Sequence, residues 1–184
     1  MTKKFTILGF DPGLADTGFG VVCRENNKLR YLTCGSIKTA ARKNFSSRIL
    51  EIYLEVSSLI KEYDPDLVAV EKLFFAKNTK TAIDVSQARG VLLLAIVEQK
   101  KTLVELTPLQ VKQAVTGSGQ ASKRQIGVMV KTLLQLSAVP KPDDAADAQF
   151  SGARLAGRAG LCGQHGNPQQ NDADDGDGAH GVTG

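Results

Sequence analysis

Four carboxylates stand where chemistry is readily done. Asp11 closes the short apolar run Phe5–Asp11 (FTILGFD) just before Pro12-Gly13, and Glu71 closes the otherwise apolar run Leu67–Glu71 (LVAVE). Asp144 and Asp147 are three residues apart, which places them on one face of a helix. Four carboxylates gathered in one place repel one another unless cations compensate them. All-oxygen donor sets select hard ions such as Mg²⁺ or Mn²⁺. Two such ions about 4 Å apart activate a water and stabilise the leaving oxygen of a phosphodiester. Each acid also has an ordinary reading: Asp11 as a turn residue and Asp144 as a helix-terminus acid. Glu71 fits an ordinary role less well, because an acid ending an apolar strand seldom lacks a task. Both histidines, His165 and His180, fall in the C-terminal stretch, so a mechanism needing imidazole inside the fold is disfavoured.

The elements that must position these acids follow from the pattern. Phe5–Asp11, Thr17–Arg24 and Leu29–Thr39 read as three consecutive strands, with Asn26-Asn27-Lys28 as a hairpin turn. From Ser47 to Tyr63 the apolar residues Ile49, Ile52, Tyr53, Val56, Leu59, Ile60 and Tyr63 recur at helical spacing, and Asp64-Pro65 stops the helix. Leu67–Glu71 is a strand, 79–99 a long helix expected to bury Leu92, Leu93, Leu94, Ile96 and Val97, and Thr102–Leu106 a strand. Thr107-Pro108 opens a short helix over 108–115, and Ser122 with Gln125 forms a capping box for a helix over 123–135. Pro140 and Pro142 interrupt the chain before a last helix, capped by Asp143, that carries Asp144 and Asp147. An antiparallel start followed by βαβ units implies an α/β domain with a mixed five-stranded sheet and helices on both faces, ending near residue 150. In such a sheet the strands ending in Asp11 and Glu71 can be neighbours.

Composition narrows the setting. At 184 residues, 42% apolar, the chain suits one domain with an ordinary core. No apolar run is long enough to span a bilayer, and no secretory leader is evident, so a cytoplasmic location without membrane association is expected. Cys23, Cys34 and Cys162 fit neither a disulfide framework nor a zinc pattern, and the first two read as buried small hydrophobes. Of 23 basic and 19 acidic residues, residues 149–184 hold two and four, which leaves residues 1–148 with an excess of six positive charges. That excess suits a polyanion, though on charge alone a merely soluble basic protein fits equally well. Residues 151–184 are rich in glycine and aspartate, including Asn171–Gly178 (NDADDGDG), and are expected to be disordered.

Taken together the motifs resemble a known family. Ile7-Leu8-Gly9-Phe10-Asp11-Pro12-Gly13 with Thr17-Gly18-Phe19-Gly20 is similar to the opening of the bacterial RuvC Holliday junction resolvases. So are Val68-Ala69-Val70-Glu71 running into Phe74-Phe75-Ala76-Lys77-Asn78, then Gln87-Ala88-Arg89-Gly90, Pro108–Gln113 and Asp144-Ala145-Ala146-Asp147-Ala148. The resemblance covers about residues 5–148. It implies an RNase H-like fold and a homodimeric endonuclease that makes paired nicks in four-way junction DNA beside a branch-migration motor complex. It implies that Asp11, Glu71, Asp144 and Asp147 bind two Mg²⁺ ions per subunit, with Mn²⁺ as an alternative. It also implies that Phe74 stacks at the crossover and that Lys77, Arg89, Lys112 and Lys123 meet DNA. The dimer face would come from the apolar side of 79–99; burial of that side against the sheet is the other reading.

After Ala148 the resemblance stops. Where the family continues an apolar helix, this chain has Gly152, Gly157 and Gly160, each disfavouring helix by ~1 kcal/mol against alanine. A shifted reading frame would produce such an abrupt change, and translation of the other frames past codon 148 tests it. Two further readings remain beside an active resolvase. One is a junction-binding protein without cleavage, because the last helix is disrupted; the other is a relative acting on structured RNA. Gly117-Ser118-Gly119 lacks the lysine spacing of a Walker loop, and the chain is too short for a two-lobed kinase.

Overall fold

A computed structural model describes residues 4–26, 28–73 and 79–136. The hairpin residue Asn27, the expected last helix, and the tail, together with Phe74, Lys77, Asp144 and Asp147, lie outside the described residues.

The described strands are β1 (Phe5–Asp11), β2 (Asp16–Glu25), β3 (Lys28–Lys38), β4 (Leu67–Glu71) and β5 (Leu103–Leu106). The described helices are α1 (Phe45–Tyr63), α2 (Thr79–Glu98), α3 (Pro108–Thr116) and α4 (Lys123–Leu133). The strands form one five-stranded sheet in the order β3-β2-β1-β4-β5. β2 pairs antiparallel with both β1 and β3, whereas β4 runs parallel to both β1 and β5. This is the mixed five-stranded α/β sheet that the order of elements implies.

Alternation along each strand sorts the core into two layers. Leu8, Phe10, Val21, Val68 and Val70 face α1 and α2, where they meet Ile52, Val56, Ile60, Ala88, Leu92 and Ile96. Ile7, Val22, Leu67, Ala69 and Leu106 face α3 and α4, where they meet Val111, Val115, Ile126 and Val130. Helices therefore cover both faces.

Most helix ends follow from local chemistry. α3 begins behind the expected cap, with a full Thr107/Gln110 capping box and Pro108 in its first turn, and α4 behind the Ser122/Gln125 box. α1 begins two residues earlier than the apolar spacing suggests, because the Asn44 side chain caps it by accepting the Ser47 N–H at 2.8 Å. It ends at Asp64, whose left-handed backbone (φ 40°) closes the last turn.

Two expectations about burial change. In α2, Leu92 and Ile96 are buried, but Leu94 and Val97 are 60% exposed. The run Leu92-Leu93-Leu94 covers more than half a turn, so one helix cannot bury all of it against one sheet. Cys23 is buried, whereas Cys34, on the outer strand β3, is only partly so.

Replacing Leu92 with alanine removes a fully buried side chain and is expected to cost about 2–5 kcal/mol. A fall in the urea midpoint at unchanged slope is the expected reading; an unaltered midpoint contradicts this packing.

Candidate metal and nucleic-acid site

The parallel ladder between β1 and β4 runs from Ile7↔Leu67 to Phe10↔Val70. Asp11 and Glu71 are each the next residue after that last pair. They therefore stand side by side at the carboxyl ends of adjacent strands, about 4.8 Å apart in backbone spacing. Both continue the alternation of Ile7 and Leu67, so both carboxylates lie on the face covered by α3 and α4. Each residue is partly buried, neither sealed in the core nor fully solvated.

The turn that leaves Asp11 is tied down from three directions. Thr17 donates its hydroxyl to the Gly13 carbonyl at 2.6 Å and accepts the Gly13 N–H at 3.3 Å. The buried Thr39 donates its hydroxyl to the Leu14 carbonyl at 2.5 Å and its N–H to the Ala15 carbonyl at 3.1 Å. Arg48, from α1, donates Nε to the same Thr39 hydroxyl at 2.9 Å. A Cβ at Gly13 would sit 2.2 Å from the Asp16 carbonyl, so only glycine fits there. On the other strand, Glu71 lies opposite Leu106, and the next N–H, of Lys72, donates to the Leu106 carbonyl at 2.8 Å. Backbone on both sides thus fixes where the two acids leave the sheet.

The sequence-derived cations fall in different places. Lys112 follows the buried Val111 in α3, the helix that starts where β5 ends; it is partly buried, with no ion pair among the described residues. Lys123 is the first residue of α4. Next to it a groove of about 690 Å³ runs between the end of α3 and the start of α4, lined by Thr116, Ser118, Gln120, Arg124 and Met129. Arg89, which the resemblance assigns to DNA, has a partner within the fold. It points from α2 to the opposite face of the sheet and forms an ion pair with Glu105 of β5. Burial lowers its guanidinium pKa from the ordinary value. Its charge is matched inside the fold, which makes it a strut between α2 and β5.

Among the described residues no group of three or more potential ligands gathers, and Asp144 and Asp147 lie outside them. Asp11 and Glu71 alone offer an oxygen-only donor pair whose mutual repulsion a hard divalent cation relieves. Thr39 and Arg48 were not evident as site residues in the sequence. They act on the Asp11 turn from 25 residues and more away, and no local pattern announces that.

Residues 7–150 match the family model for the crossover junction endodeoxyribonuclease RuvC. The chain belongs to the RuvC family. It is 53% identical over 142 residues to the crossover junction endodeoxyribonuclease RuvC of Alkaliphilus metalliredigens, covering 77% of this chain and 87% of that one. The structure of Thermus thermophilus RuvC is 31% identical with a TM-score of 0.77, and the match covers 87% of this chain and 96% of that one. T. thermophilus RuvC in complex with Holliday junction substrate is 32% identical with a TM-score of 0.75, covering 84% and 92% of the two chains. This RuvC-family chain accordingly has the RNase H-like resolvase fold and belongs with nucleases that hydrolyse phosphodiester bonds in DNA. The family match ends two residues beyond Ala148, where the motif resemblance also stops.

Arg89→Ala leaves the Glu105 carboxylate without its cation and is expected to cost about 1–3 kcal/mol of stability in urea unfolding. The salt dependence of DNA binding should not change. A shallower dependence with unaltered stability returns Arg89 to the DNA interface.

Proposed function

We propose that this chain resolves four-way DNA junctions by paired, divalent-cation-dependent hydrolysis of phosphodiester bonds, in recombination and repair. The observation that carries the reading is the placement of Asp11 and Glu71 side by side at the ends of adjacent parallel strands, in a member of this nuclease family. Asp144 and Asp147 complete the donor set for two Mg²⁺ ions per subunit, and Mn²⁺ suits the same oxygens. When bound, the ions neutralise the phosphate and lower the pKa of a water.

The protein's own part is to hold and to exclude. The β1–β4 ladder fixes the spacing of two carboxylates, and the Thr17 and Thr39 hydrogen bonds keep the Asp11 turn from drifting. Lys112 and Lys123, on the α3–α4 side, hold the DNA backbone by charge, and Lys77 adds to them. Phe74 stacks on a base at the crossover. Paired nicking needs two copies. Ile83, Leu94 and Val97 are 65%, 60% and 60% exposed on α2, and their spacing of eleven and three puts them on one stripe. That stripe is the homodimer face. By family resemblance a branch-migration motor complex is a further partner, and the cytoplasm is the site of action. No helix among the described residues is long and apolar enough to cross a membrane.

Purified protein on a labelled four-way junction, beside linear duplex, tests the reading. Symmetric nicks with Mg²⁺, lost in EDTA, are expected. Junction-selective binding without nicks instead favours a binding protein impaired by the glycine-rich sequence that follows Ala148. Glu71→Gln keeps the volume of the side chain and removes its charge; cleavage should fall at least ~1000-fold while junction affinity stays within a few-fold. Normal cutting by that variant removes Glu71 from the metal site. Leu94→Glu should convert the dimer to a monomer in sedimentation, and a persistent dimer places the interface elsewhere.

A further inference from the structure

A DNA strand lying across Asp11 and Glu71 extends past the site in two directions. Lys112, on the helix that starts where β5 ends, serves the β5 side. The other direction leads over β2 to the end of β3 and the start of α1. Residues 26–50 contain six basic residues and no acid. Four of the six, Lys38, Arg42, Lys43 and Arg48, lie between the end of β3 and the first turn of α1.

Their placement is specific. β3 runs parallel to β1, so its last residue, Lys38, reaches the same edge of the sheet as Asp11. Lys38 pairs with Asp16, which is two residues from Gly18, the partner of Asp11. The alternation therefore puts Lys38 on the same face as Asp11 and Glu71, two strand spacings or about 10 Å to the side. Arg42 lies in the turn closed by the Lys43 N–H to the Ala40 carbonyl, and both Lys38 and Arg42 are exposed. Lys43 is matched by Glu51 at 2.7 Å. Arg48 is anchored through Nε to Thr39 and makes no ion pair among the described residues, which leaves its terminal nitrogens available. Two acids lie on this side: Glu51, which is taken up by Lys43, and Asp16, the cross-strand partner of Lys38, one of whose carboxylate oxygens is buried without a hydrogen-bond partner. The first turn of α1 carries no acid that would oppose an anion.

The geometry points to Lys38, Arg42 and Arg48 as a second phosphate-binding patch, which holds the DNA backbone on the β3 side of the cleavage site. The patch rests on the nuclease reading only for its ligand. It sets the direction in which the strand leaves the carboxylates, and with Lys112 it grips the backbone from both sides.

The test compares the full chain with a Lys38→Ala/Arg42→Ala double variant and a Lys28→Ala/Lys61→Ala control. The control removes the same charge from exposed positions at the opposite edge of the sheet. Binding to a labelled four-way junction is measured by anisotropy across a series of salt concentrations. The slope of log affinity against log salt should become shallower by about one per lost phosphate contact, hence about two for the double variant, and stay unchanged for the control. Equal slopes for wild type and double variant overturn the patch, as does an equal change in the control. Cleavage by wild type in the same samples reports separately on the nuclease reading. A wild type that binds without cutting still tests the patch through its slope, whereas one that binds no DNA overturns both.

Discussion

Everything in this domain depends on the parallel, in-register pairing of β1 with β4. Strands Phe5–Asp11 and Leu67–Glu71 are joined through two more strands and a helix, yet their last residues end level with each other. Side chains alternate with a period of two, so a slip of one residue would send Glu71 into the layer of Ile52, Val56 and Leu92. There its charge would meet only hydrocarbon. The hydrophobic core therefore enforces the register, and the register places the carboxylates. Stability and site geometry are the same constraint seen from two ends.

Around that pair the fold is electrostatically asymmetric. The face bearing Asp11 and Glu71 opens toward exposed or unpaired cations, while Arg89 and Glu105 cancel each other on the other face. The carboxyl edge also receives the start of α1, with its Asn44 cap, and the start of α3, with its Thr107 box. Helix N-termini and unpaired cations on one edge suit a negatively charged polymer there.

Much of this was legible in the chain itself, for reasons that differ by element. β1, β4 and α1 announce themselves because their neighbours in sequence carry the signal: an apolar run closed by Asp11 or Glu71, or apolar residues at helical spacing ended by Asp64-Pro65. The caps of α3 and α4 are equally local. Burial within α2 was not legible, because a run of leucines does not reveal which side meets the sheet; Leu92 does and Leu94 does not. The pairing of Arg89 with Glu105 was hidden for a related reason, since Glu105 lies on a strand that sequence pattern cannot place opposite it. Thr39 and Arg48 escaped because their work on the Asp11 turn exists only once α1 has docked.

One quieter feature bears on how the molecule avoids the wrong company. β3 is an outer strand of eleven residues, and Tyr31 and Leu32 stand exposed on it. Such an edge invites another copy to add itself strand to strand. Opposite Val21 and Val22 the pairing shifts, so that Leu32 becomes an extra residue and the strand is bent out of the straight line that such stacking needs. Lys28 and Arg30 place like charges along the same edge. The bulge and the like charges thereby make this edge of the sheet a poor template for strand-on-strand stacking and a poor seed for fibrils.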